Sequence, residues 1–319
     1  MHRNGITAPS GLRAWIAACA LACVAAALPA QAKTAAAPAA AKSATLDRIQ
    51  KSGKLRLGYR TDARPFSFKD EQGQPAGYSV ALCQTVADAI KAGTGLSTLN
   101  VEWVPLAMAD HFTAVAQGQV DLFCGADTQT LQRMEEVGFS IPIFPGGIGA
   151  LVRADASARL KDILSGRPDT DPHWRASAGA LVQAQTFTVV GGTTAKTWLD
   201  GKLNSFRLTA SVQPVSGYDE GIQAVVDRKA NVFFGDRAIL LDAVQRHASA
   251  GDLFVIDRDF TYEKISLTLP RNDDGFAVVV DRALSRFYMS PQFTAQYTKW
   301  FGTPRAGASN FFRWIVLPE

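Results

Sequence analysis

From residue 54 onward, short apolar runs of strand length alternate with longer stretches of helical period, and few folds accommodate that alternation. Residues 54–59, 99–104, 120–124, 186–190, 207–214, 232–234, 254–256 and 262–269 read as strands. Residues 46–52, 78–90, 109–117, 131–137, 160–164, 195–202, 218–228, 237–248, 275–288 and 291–300 read as helices. Strand–helix alternation implies an α/β protein of open, largely parallel sheets covered on both faces. The Gly/Pro punctuation of 142–149 splits the pattern into two groups, and 262–269 reads as a return crossing. The expected layout is therefore a first lobe of 45–148 and 262–319, with a second lobe of 149–261. Ligands of such sheets bind beyond the carboxyl ends of the strands.

The N-terminus stands apart. Arg3 and Arg13 precede an apolar run over 14–28, and Ala30-Gln31-Ala32 is a small-x-small cleavage site, so 1–32 reads as a secretory signal peptide and the mature protein as periplasmic. The run is shorter than the roughly 20 apolar residues of a membrane anchor. A lipid anchor on Cys19 or Cys23 is the alternative; Ile16-Ala-Ala-Cys19 is lipobox-like but leaves almost no apolar stretch ahead of that cysteine. Residues 33–44, rich in Ala and Pro, should form a loose linker. Cleavage removes two arginines and no acid, taking the net charge from +4 to +2. There is no Lys/Arg run or basic stripe, which argues against a nucleic-acid partner. His2, His111, His173 and His247 are scattered and no Cys-x-x-Cys occurs, so no metal or cofactor is expected. Cys83 and Cys124 remain after cleavage, either as a disulfide or as two buried thiols. Cys83 lies on the apolar helix face of Val80, Ala87 and Ile90, and Cys124 ends a strand that this helix would cover, so a bridge is expected. Residues 167–180 read as an irregular surface loop without an assigned role. The tail 310–318 is too apolar to float and should dock on the first lobe.

Three strand ends carry residues with chemistry. Thr130 is a natural N-cap, which puts Arg133 in the first turn of a helix, where a cation opposes the helix dipole. Either the side chain bends into water, or an anion sits beside it, held by the guanidinium fork and the N–H groups of the helix start. Gly191-Gly192-Thr193-Thr194 follows a strand and opens a helix, which makes either a tight turn or an anion cradle. Asp236 ends a strand ahead of a helix and can serve as its N-cap.

Gly118-Gln-Val-Asp-Leu, Thr128, Thr130, Arg133 and Phe139-Ser-Ile-Pro together resemble the signature of periplasmic solute-binding proteins of the polar amino-acid type. The resemblance extends to Gly53-Lys-Leu-Arg-Leu-Gly-Tyr, Pro65-Phe66-Ser-Phe68, Gly77-Tyr78, the Gly-Thr loop and the closing Lys299-Trp-Phe-Gly302, and so covers nearly all of 45–319. It implies a two-lobe type II periplasmic-binding-protein fold, with a small-molecule ligand captured between lobes that close around it. It further implies a monomer that serves a membrane permease of an ABC transporter. Arg133 and Thr128 fall where the family grips the ligand's α-carboxylate, with Gly125, Asp127, Thr193 and Thr194 beside them. Asp236 falls where the family receives the α-ammonium. The side-chain half of the pocket departs from the family. Its usual acid falls on Arg60, its stacking aromatic on Ala63 and a second aromatic on Met108, with Asp62 near enough to substitute. Arg60 is then either a ligand contact or a solvated, lobe-bridging arginine. Periplasmic cyclohexadienyl dehydratases resemble the same family, but that reaction needs a general acid. Glu71, Glu102, Glu135, Glu136 and Glu220 all read as peripheral, so no catalytic residue is expected.

Overall fold

The computed structural model describes residues 42–167, 178–304 and 306–319. The expected signal peptide, most of the linker and the centre of the 167–180 loop lie outside the described residues. Ser43, at the end of that linker, is buried and caps the helix Ala44–Ser52 by accepting from the Leu46 N–H. The end of the 167–180 loop is helical, within Ala178–Gln183.

Two main sheets organise the described chain. The first runs in the order Asn100–Pro105, Lys54–Tyr59, Leu122–Thr128, Glu263–Leu269, Gly138–Phe139, with Phe144–Gly146 also paired to Glu263–Leu269. The second runs Ser211–Val215, Thr186–Val190, Val232–Asp236, Ile148–Arg153, Leu253–Val255. In each sheet three strands are parallel, and the strands near the crossings are antiparallel. The sheets are thus mixed rather than largely parallel. A strand arriving from the other lobe enters from the opposite end and runs against its neighbours.

The first lobe is built on the helix Tyr78–Thr94, which buries Leu82, Cys83, Val86 and Ile90. Cys83 is bridged to Cys124 of the strand Leu122–Thr128, Cα–Cα 6.1 Å. Gly77 precedes this helix at φ +126°, and a Cβ there would sit 2.2 Å from the Phe66 carbonyl oxygen, so no other residue fits the entry. Phe66, Tyr78, Phe144, Tyr297 and Phe301 pack as an aromatic cluster, and the Tyr78 hydroxyl donates to the Ile143 carbonyl at 3.0 Å. The apolar tail docks there as expected, as the helix Ala306–Ile315, with Phe312 only 3% exposed between Tyr288, Phe293 and Tyr297. Trp314, on the same helix, faces solvent instead. The second lobe buries Phe187, Val189, Val232 and Phe234 beneath Leu199 and Trp198 of the helix Thr194–Ser205.

The two crossings lie side by side. Gly146 pairs with Glu263 in the first sheet, Ile148 opens the second, and the Phe260 N–H donates to the Ile148 carbonyl at 2.8 Å. Both lobes therefore hinge on one short double connection, and the carboxyl ends of their parallel strands face each other across a cleft.

Candidate functional site

The cleft encloses a small cavity lined by Arg60, Met108, Asp127, Thr128 and Arg133 from the first lobe, and by Thr193, Thr194, Tyr218 and Asp236 from the second, with Glu263 at the crossing. Thr130 caps the short helix Leu131–Met134 by accepting from the Arg133 N–H at 3.1 Å. The Arg133 guanidinium folds back over the Phe112 ring, 4.9 Å from its centroid. Its Nη1 donates to the Thr128 carbonyl at 2.9 Å, and Nη2 reaches the Gly192 carbonyl of the opposite lobe at 3.4 Å. Those two contacts use two of the five N–H donors of an arginine, so the fork is aimed and still has donors to offer. The side chain is half-buried and lines the cavity.

Asp236 caps its helix as expected and also faces the cavity. One carboxylate oxygen accepts from the Ala238 and Ile239 N–H groups at 2.9 and 3.2 Å, capping the helix Arg237–Arg246. The residue also lines the cavity, and among the described residues it forms no ion pair. Burial, reinforced by the charges of Glu263 and Asp259 against the two N–H bonds, pushes its carboxyl up to about 7. A half-buried carboxylate with no cation is costly, and the cost is relieved by a proton or by a cation brought in from outside.

Arg60 is 6% exposed, so the solvated reading does not hold. Its Nε and Nη2 each donate to one oxygen of Asp62 at 2.8 Å, and Nη1 approaches the Met108 sulfur at 2.7 Å. The two charges expected to shape the side-chain pocket therefore hold one another, and Asp62 stands behind Arg60 rather than replacing it. Asp127 is likewise committed. Its Oδ1 meets His111 Nε2 at 3.0 Å, and its Oδ2 accepts from the Thr268 hydroxyl at 2.6 Å. Burial works to raise the Asp127 carboxyl, but the His111 charge and hydrogen bond, with Thr268, hold it below its usual range. Gly125 lies inside the strand and does not reach the cavity, since a Cβ there would strike the Phe123 ring at 2.3 Å. Thr193 caps the helix Thr194–Ser205, accepting from the Lys196 N–H at 3.3 Å, and so presents the helix start to the cavity.

Three residues of the site went unnoticed in the sequence. Tyr218 covers Gly235 with its ring and accepts the Asp236 N–H on its hydroxyl at 3.0 Å. His111 is fully buried behind the cavity, with Nδ1 on the Met108 carbonyl at 2.8 Å. Glu263 accepts from the Thr128 and Thr194 hydroxyls on Oε2 at 2.6 and 2.9 Å, and from Thr261 on Oε1 at 2.9 Å. Tyr218 had a readable signal, since it opens a helix after a predicted strand as Arg133 and Asp236 do. Glu263 had a weaker one, an acid at the head of an alternating crossing strand.

Comparison with known proteins agrees with the two-lobe fold. Residues 55–303 match the model of bacterial extracellular solute-binding proteins, family 3. An L-glutamate/L-aspartate-binding protein of Pseudomonas aeruginosa is 26% identical over 261 residues, 82% of this chain and 80% of its own. A cyclohexadienyl dehydratase of the same organism is 31% identical over 118 residues, 37% of this chain and 41% of its own. Among solved structures, an ancestral amino acid-binding protein described as a precursor of cyclohexadienyl dehydratase superposes with a TM-score of 0.66 at 26% identity, covering 81% of this chain and 99% of that one. With the family model spanning most of its length, this chain belongs to the bacterial extracellular solute-binding proteins of family 3.

Proposed function

We propose that this protein captures a free amino acid or a close analogue outside the cytoplasm and delivers it to the membrane permease of an ABC transporter. The observation that carries the reading is the pairing of unmet needs across one cavity. Arg133 on the first lobe has donors to spare, and Asp236 on the second is a half-buried carboxyl that pairs with no cation among the described residues. A zwitterion lying between them supplies both missing partners, and the closure that brings the lobes together is what desolvates and pairs its ends. Arg60, held by Asp62, sets the far end of the pocket, so an acidic side chain would have to share or displace that partner. L-Glutamate and L-aspartate are the natural first probes, because a relative is named for binding them. A thermal-shift screen against the twenty L-amino acids and simple dicarboxylates tests the reading. A ligand that binds only the native state adds about 2.7 kcal/mol at a hundredfold excess over Kd, so one or a few amino acids should shift the transition clearly. No shift with any amino acid would contradict it.

A second reading rests on two carboxyls in the cleft. Asp236, pushed up to about 7, can hold a proton at neutral pH, as the general acid of a dehydratase must. Glu263 is a further acid in the cleft, although three hydroxyls already engage its oxygens. Incubation with prephenate, followed by ultraviolet absorbance, separates the readings. Transport predicts no conversion.

A further inference from the structure

We propose that Glu263 is a positioning residue, a bridge that commits the Thr128 and Thr194 hydroxyls to accept, rather than donate, hydrogen bonds toward the captured molecule. The proposal rests on the amino-acid reading above and goes beyond it by assigning the polarity of the two hydroxyls. Thr128 ends a strand of the first lobe and Thr194 opens a helix of the second. Both meet one oxygen of Glu263, at 2.6 and 2.9 Å. A hydroxyl has a single proton. Two hydroxyls crowding one oxygen cannot both be accepting from it, and a carboxylate accepting from both satisfies all three groups. Thr261 fits the same pattern. Its oxygen accepts the Ile148 N–H at 3.0 Å, which leaves its proton for Glu263 Oε1.

The chemical consequence is that each threonine, its proton spent, turns only lone pairs toward the cavity. Both threonines line the same cavity as Asp236, so their lone pairs add to its acceptors, one from each lobe. Donation to an anion is then left to the Arg133 fork and to backbone N–H groups. Glu263 thus fixes which groups of the cavity accept and which donate. Because its two threonine partners come from opposite lobes, the sorting is complete only when the cleft is closed.

The test uses the full mature chain with Glu263→Gln, Thr194→Val and Thr194→Ser, each first shown to unfold cooperatively. The thermal-shift panel of twenty L-amino acids selects the probe, which is then titrated beside its counterpart lacking the α-amine. Glu263→Gln should weaken the amino acid about ten- to a hundredfold and shrink its preference over the deaminated counterpart, because the freed hydroxyls can again donate. Thr194→Val should weaken it in the same direction, and Thr194→Ser should stay within about threefold of wild type. Unchanged affinity and preference in Glu263→Gln would overturn the proposal. A second measurement needs no ligand. In carbon NMR, the Asp236 carboxyl should titrate lower in Glu263→Gln by about half a pH unit or more, since a neighbouring negative charge is gone. An unmoved midpoint would place Glu263 outside the cleft and overturn the proposal as well. If no amino acid binds wild type, the functional reading fails, and this titration decides the bridge alone.

Discussion

Arg133 is held by two carbonyls and an aromatic ring, so its fork is oriented before any ligand arrives. Lysine keeps the charge but loses the planar, two-pronged geometry. Arg133→Lys should therefore weaken binding by roughly 1.5–3 kcal/mol with little effect on the unfolding midpoint, as calorimetry and thermal melts would show. Equal affinity would return Arg133 to a structural role. Asp236 gives a pH signature whose sign follows from its raised carboxyl, about 7 against an ordinary 3.8. Between those values the native state holds a proton that the unfolded chain has lost. Its contribution to stability is full below about 4 and is lost as pH rises through about 7. An incoming ammonium favours the ionised form, so binding below pH 7 releases a proton. Affinity should climb from pH 5 to 7, by at most about tenfold per unit, and level off above. Titrations across that range, in buffers of different ionisation heat, would read the released proton, and a flat profile would contradict the assignment. Arg133 and Asp236 were legible because each sits at a strand end with a side chain out of keeping with a plain turn. Glu263 was not, because its role depends on Thr128 and Thr194, which are far from it in sequence and meet it only in the folded cleft.

The helix Tyr78–Thr94 and the strand Leu122–Thr128 form the rigid wall behind the first-lobe half of the site, and Cys83–Cys124 staples them. With a sequence separation of 41 between the cysteines, the bridge should contribute up to about 4 kcal/mol by restricting the unfolded chain. Denaturant unfolding with and without reductant should show that loss, and mass spectrometry of the oxidised protein should find neither thiol free. Two free thiols in folded protein would contradict the bridge. The apolar face of Val80, Cys83, Ala87 and Ile90 carried this contact in the sequence. The antiparallel strands were harder to read. Phe144–Gly146 falls within the Gly/Pro break and Glu263–Leu269 has an ordinary strand pattern, and nothing local says that they run against their neighbours. Their direction is set by the crossing between lobes, a tertiary fact.

Closure of the whole molecule is written in three contacts between the lobes. Arg133 meets the Gly192 carbonyl, Thr194 meets Glu263, and Arg64 Nε meets Asp242 Oδ1 at 3.2 Å. The two-lobe plan could be read from the Gly/Pro break at 142–149 and from the return of strand pattern near 262. The side-chain pocket could not, because Arg60 and Asp62 neutralise each other only once the loop between them has folded. The central claim is that a zwitterion spans the cleft from Arg133 to Asp236, and one comparison tests it most directly. Wild type and Asp236→Asn are titrated in parallel with the amino acid that most stabilises wild type. Asparagine keeps the size and the cap but removes the charge that meets the ammonium. Affinity should fall several-fold to about a thousandfold, since a buried ammonium is left poorly paired. If Asp236→Asn binds that amino acid as tightly as wild type does, the zwitterion account is wrong.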